Sequence, residues 1–260
     1  MLQLTEQQLL LWLSAWLWPF MRVSAFVMTA PIIGTKALPR RVRMAFALAL
    51  TTVLVPLEAS AVPAVPLLSA PGLVIAAQQV LVGAALGLIL RAVFLVLEFA
   101  GQIVAQQMGL GFAAMVDPAS GAQVPVVAQF YIVLGTLMFF AFDAHLQLVL
   151  LLQDSFEILP LGAGLPGRNS LEYVIQWTGH LLGAGMLLLL PAIAALLIVN
   201  LAFGVIARAA PQFNIFSIGF PVMILFGIVV LLLTLGLLTE HVGALFEDGF
   251  GAATQFLLRR

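Results

Sequence analysis

The sequence predicts an all-α polytopic membrane protein, a single membrane-embedded helical domain (1–260) built from about six long hydrophobic helices. Three observations carry that prediction. Of 260 residues, 63% are hydrophobic and only 8% are charged, where a soluble domain carries about 25%, so the chain lacks the polar surface to coat a globule. The mean hydropathy is +1.17. The apolar residues also fall in runs longer than a buried core helix needs, since a bilayer core of about 30 Å takes roughly 20 apolar residues of helix to cross.

Taken in order, the apolar segments are Leu9–Ile33, Met44–Leu57, Leu73–Leu90, Val124–Phe142, Val174–Ala207 and Ile215–Leu238. The second reaches spanning length only by continuing past Pro56 towards Leu68. As one helix, the fifth would be about 50 Å long. Pro191 and Asn200 lie inside it, which predicts a kink or two packed pieces. The tail, about residues 239–260, repeats Val242, Leu245, Phe246, Phe250, Ala253 and Leu257 at helical spacing, with Glu240, Glu247, Asp248 and Gln255 between them. That pattern is an amphipathic helix for the membrane surface or a partner, or a terminal surface helix with no special role. The spacings Gly83-xxx-Gly87 and Gly179-xxx-Gly183 predict close helix packing. No internal repeat stands out, which argues against an inverted-repeat transporter.

Lys36, Arg40, Arg41 and Arg43 lie between the first two segments. Positive residues in short loops stay cytoplasmic, so the N-terminus is expected outside. The first segment is expected to be retained, because no basic start and short apolar core of a cleaved signal peptide precede it.

Several function classes are excluded or poorly supported. A net charge of −1 gives no electrostatic case for nucleic acid. Without cysteine there is no disulfide, thiolate metal site or thiol nucleophile. His145, His180 and His241 are isolated and form no spaced metal motif. Gly109-Leu-Gly111 mimics the start of a dinucleotide fingerprint, but the strand and βαβ unit that fingerprint needs are missing. No enzyme activity, cofactor or metal is expected.

The most unusual stretch runs from Gln102 to Pro125. Gln102 and Gln106 share a helix face, after which Gly109, Gly111, Pro118, Gly121 and Pro125 forbid a long regular helix. Met108, Leu110, Phe112, Met115 and Val116 are too apolar for a solvated loop. Irregular backbone near a membrane is tolerated only when it is buried in protein or lines a watery cavity. One reading is a loop filling the mouth of a pore, with Phe112 and the methionines as a soft seal; the other is a loop packed on its own chain.

The stretch Arg208–Val222 reads as a helical hairpin turn. Pro211 stops one span, Asn214 and Ser217 are placed to cap the next, and Gly219 and Pro221 fall in its first turns. The charges inside apolar segments are Arg22, Arg91 and Glu98, with Asp143 and His145 at a segment end. Such charges are functional candidates. Arg91 and Glu98, two turns apart, are read as a structural pair in preference to a proton path.

Four blocks then resemble the FliR family of flagellar export proteins: Met21–Leu50, an apolar span running into a basic turn; Gln106–Phe130, which holds GLGFAAMVDPASG; Phe139–Gly162; and Arg208–Val222. The resemblance covers roughly Met21 to Leu238. It implies a core subunit of the flagellar type III secretion export gate in the bacterial inner membrane, at the flagellar basal body. It further implies a FliP-like portion followed by a FliQ-like helical hairpin, assembled with FliP and FliQ and with FlhB and FlhA as neighbours. Such gates sit largely raised out of the bilayer plane, with slanted helices. The family's central loop plugs the pore, and the residues matching it are Gly109, Gly111, Phe112, Asp117, Pro118 and Gly121. The implied role is a passive conduit for unfolded export substrates. The related subunit of a virulence injectisome and an autonomous proton-coupled transporter remain as alternatives.

Overall fold

The computed structural model describes residues 6–35, 38–54, 63, 65–66, 69–110, 126–164, 166–209 and 215–259, and among these it is helical without strands. The helices are α1 (Glu6–Thr29), α2 (Arg40–Leu54), α3 (Ala70–Gln107), α4 (Val126–Ala141), α5 (Ala144–Ile158), α6 (Arg168–Ala209) and α7 (Ile215–Leu258). By length and composition α3, α6 and the Pro221–Leu258 part of α7 can each cross a membrane, and α4 with α5 adds a fourth span if that bent pair is one crossing. For the second apolar segment α2 supplies 15 residues, about 22 Å of helix, and most of the continuation past Pro56 lies outside the described residues.

Local chemistry explains several boundaries. Before α3, the Ser69 hydroxyl accepts the Gly72 amide at 3.2 Å, and Pro71 occupies the first turn, where its missing N–H costs nothing. The fourth apolar segment ends not in a loop but in a second helix, α5. The chain turns at Asp143, whose φ is 54° and whose carbonyl accepts the amides of Leu146 and Gln147 at 2.9 and 3.2 Å. Aspartate tolerates this left-handed conformation better than most residues. The fifth segment stays one helix through Pro191, and the tail continues the sixth without a break at residue 239.

Two compact units form: residues 1–92, 143–177 and 247–260, and residues 93–142 and 178–246. In the first, α2 packs on α1, and α1 meets α3 backbone to backbone at Gly83 and Gly87. A Cβ on Gly83 would overlap the Arg22 carbonyl, and one on Gly87 would lie 2.8 Å from the Ala30 amide nitrogen. Arg22 is fully buried. Its guanidinium donates to Gln79 Oε1 (2.7 Å), the Ser155 carbonyl (2.6 Å) and the Leu159 carbonyl (2.7 Å), and lies 4.3 Å over the Phe156 ring. The end of α7 docks on the start of α6: Trp177 Nε1 donates to Asp248 Oδ2 at 2.7 Å, the Ser170 hydroxyl donates to the Arg259 carbonyl, and Arg259 covers Tyr173. The apolar face of the tail is buried at Val242, Leu245, Phe246, Ala253 and Leu257, on this chain itself.

In the second unit the C-terminal part of α3 is the central element. Phe94, Phe139 and Phe246 form a three-ring cluster with centroids 5.4–5.7 Å apart. Gly101 abuts the Ala128 backbone, Leu97 fits over Gly135 and Val96 over Gly185. Gly179 and Gly183, which carry the other small-residue pattern, have nothing within 4 Å of where a Cβ would stand, so close packing is made at Gly185 instead.

Candidate functional site

The C-terminal end of α3 lies where the sequence predicts the gate loop to begin. Four carbonyls at a helix end lack intrahelical donors, and here each can be followed to its partner. The Val104 carbonyl accepts Met108 N, the Gln106 carbonyl accepts Gly109 N and the Ala105 carbonyl accepts Leu110 N, all at 3.0 Å. With Gly109 at φ 78°, this is a Schellman ending, which glycine permits because it has no Cβ penalty in the left-handed region. The fourth carbonyl, Gln107 O, accepts the side-chain amide of Asn200 in α6 at 3.1 Å. The same amide lies 3.4 Å from Gln107 Oε1.

Met108 is buried and seated on α7 at Gly227. A Cβ on Gly227 would stand 2.8 Å from the Met108 sulfur and closer still to Cγ and Cε. Beside it runs an apolar groove of about 450 Å³, lined by Met108, Leu110, Val126, Phe130, Ile228 and Leu232 among others. Leu110 and Val126 are the described residues on either side of 111–125.

Met108, Gly109 and Leu110 therefore come together at the helix end. Gly111, Phe112, Met115, Asp117, Pro118 and Gly121 lie outside the described residues, as do Pro211 and Asn214 of the hairpin turn. Gly219 is buried in α7 and Pro221 is exposed on it. Arg91 and Glu98 are half-buried. The pairing read for them is corrected. Seven residues of helix put them about 10 Å apart along the axis, and Glu98 faces Gln102 Nε2 at 3.5 Å. The ion pair seen among the described residues is the exposed Arg168–Glu172. Among these residues no cluster of His, Asp and Glu could hold a metal ion.

Asn200 and Gly227 were missed as supports of this end. Asn200 stood out in the sequence as a break in an apolar helix, whereas its amide serves a carbonyl 93 positions away. A lone amide inside an apolar helix was the available signal, because such a group needs a partner. Gly227 gave none.

Long apolar helices, a glycine-terminated α3 and a groove without polar lining define a polytopic helical membrane protein. The model of the bacterial export proteins, family 1, matches residues 13–249. The chain is 40% identical over 253 residues to the flagellar biosynthetic protein FliR of Escherichia coli (strain K12), covering 96% of this chain and 95% of that protein. It is 35% identical over 257 residues to FliR of Pectobacterium carotovorum subsp. carotovorum, covering 99% and 98%. With FliR of Bacillus subtilis (strain 168) it shares 29% over 238 residues, covering 90% of each. The chain belongs to the FliR family of bacterial export proteins.

Proposed function

We propose that this chain is the FliR-type core subunit of a flagellar type III secretion export gate in the bacterial inner membrane. It forms part of the conduit through which unfolded flagellar proteins pass. FliP and FliQ complete the gate, FlhB and FlhA neighbour it at the basal body, and lipid touches what they leave uncovered. The segment that opens at Met108 and runs to Gly121 plugs the closed pore, with Phe112 and Met115 as its apolar seal and Met108 as its anchored base. The subunit is passive and catalyses no reaction.

The observation that supports assembly is the length of the uncovered apolar face on α6. Large apolar side chains are exposed from Leu171 and Ile175 at one end to Val205 and Ile206 at the other. That stretch is about 52 Å of helix at 1.5 Å per residue, and about 40 Å even at a steep 40° tilt, against a hydrocarbon core of about 30 Å. Lipid alone does not cover it, so part of the face needs protein. Only 17% of the most apolar window of α6, and 11% of that of α7, is buried within the chain itself. This face suits a hairpin that completes a ring of similar helices.

The test is affinity purification in mild detergent, with native mass and identification of partners. A stable complex containing FliP and FliQ is expected. A lone monomer or homodimer across detergents and expression levels would overturn the proposal.

A further inference from the structure

On the export-gate reading, we propose that Asn200 is a positioning residue for the gate segment: with Gly227 as the seat of Met108, it fixes where the chain leaves α3. Three of the last four carbonyls of α3 are closed by the chain's own amides, at Met108, Gly109 and Leu110. The fourth, on Gln107, has only the Asn200 amide among the described residues. An unpaired carbonyl or carboxamide in an apolar setting is costly, and Asn200 stands in a helix whose neighbouring Leu197, Ile198 and Leu201 are exposed apolar residues. The bond therefore removes two penalties at once, and it does so only when the end of α3 sits in one place against α6.

The second hold is steric and lies on another helix. Met108 is 1% exposed, and the missing Cβ of Gly227 is the space its side chain fills. One residue after the amide-capped carbonyl, the chain is thus pinned to α7. Gly109 then turns in the left-handed conformation, and Leu110 is the last described residue before 111–125. One hydrogen bond to α6 and one steric contact with α7 thereby fix where the chain leaves α3.

The chain contains no cysteine, so a single Leu110→Cys reports on this base by its rate of modification with a maleimide in membrane vesicles. Adding Asn200→Leu, similar in size but without a donor, should raise that rate by about tenfold, the scale on which one hydrogen bond shifts a local opening equilibrium. Asn200→Gln, which keeps the donor, should restore most of the slow rate; a purely space-filling role would not separate the two. Gly227→Ala displaces Met108 from the other side and should also speed labelling. It is the second variant if Asn200→Leu does not accumulate.

Unchanged labelling in both Asn200→Leu and Gly227→Ala overturns the positioning role. Ion leak through the purified assembly separates this from the gate reading. Faster labelling with faster leak supports both, whereas faster labelling in a chain that joins no partners keeps the positioning role of Asn200 and removes the gate.

Discussion

The Nε of Arg22 donates to Oε1 of Gln79 over 2.7 Å, between two side chains with no exposed surface. The other donors of Arg22 reach the Ser155 and Leu159 carbonyls at the C-terminal end of α5, where the helix dipole places partial negative charge. A buried guanidinium is thus held by amide oxygens, a helix end and the Phe156 ring. Its planar fork spans three acceptors in a way a lysine ammonium does not.

The first prediction follows from that geometry. Arg22→Met takes the guanidinium from three buried acceptors, of which the Ser155 carbonyl keeps the Leu159 amide, and should cost about 2–4 kcal/mol. Arg22→Lys should recover only part of the loss. Thermal unfolding of the purified chain in detergent checks this, with an expected fall in apparent Tm of about 5–10 °C for Arg22→Met. A variant melting with the parent would mean that the buried charge contributes nothing.

Two glycine pairs with the same spacing should behave in opposite ways. Gly83→Ala pushes a methyl group into the Arg22 backbone, with its carbonyl carbon 2.9 Å from the new Cβ. The helices must separate, at about 1–3 kcal/mol. Gly179→Ala meets open space and replaces a poor helix former, so the isolated chain should be unchanged or more stable by up to about 1 kcal/mol. Equal losses at both positions, measured by the same melting assay, would contradict the packing described.

That contrast marks the limit of what the sequence could show. Apolar run length located α1, α3, α6 and α7, because burying or spanning a helix requires it. Glycine and proline located the end of α3 before Gly109. The pattern Gly-xxx-Gly could not say which pair meets a neighbour, since the answer rests on the position of Arg22 rather than on the glycines. The turn between α4 and α5 carries neither glycine nor proline; it rests on one left-handed aspartate, Asp143, which composition does not reveal. Asn200 was legible as an anomaly but not as a cap, because its partner, Gln107, is distant in sequence. The amphipathic tail was legible as a face, and what covers that face emerged only from the fold.

The tail supplies a third prediction. Trp177 is nearly fully buried, and its indole donates to Asp248 at 2.7 Å. Asp248→Leu leaves that donor unpaired, at about 1–2 kcal/mol, and should loosen the last turns of α7 from α6. A red shift of Trp177 fluorescence is expected, read in a background where the other tryptophans are replaced, together with faster C-terminal proteolysis. Asp248→Asn keeps an acceptor and should lie close to the parent. If Asp248→Leu and the parent are cleaved at the same rate, the bond does not hold the tail.

The last prediction concerns Gly109, where helix chemistry and the proposed gate meet. At φ 78° a β-branched residue is strongly disfavoured, and asparagine is the best tolerated replacement after glycine. Gly109→Val should therefore break the bonds from Gly109 N and Leu110 N that close α3, costing on the order of 2 kcal/mol, and let the helix run on or fray. Gly109→Asn should retain most of the ending. In a purified assembly, Gly109→Val is expected to raise ion leak at least several-fold, approaching the leak of a deletion that shortens Gly109–Gly121, while Gly109→Asn stays near the parent. The order Val, then Asn, then Gly ties the leak to backbone conformation rather than to side-chain bulk, because asparagine and valine are similar in size. A tight gate with Gly109→Val and with the shortened segment would remove the plug from the proposed function and leave the subunit as wall alone.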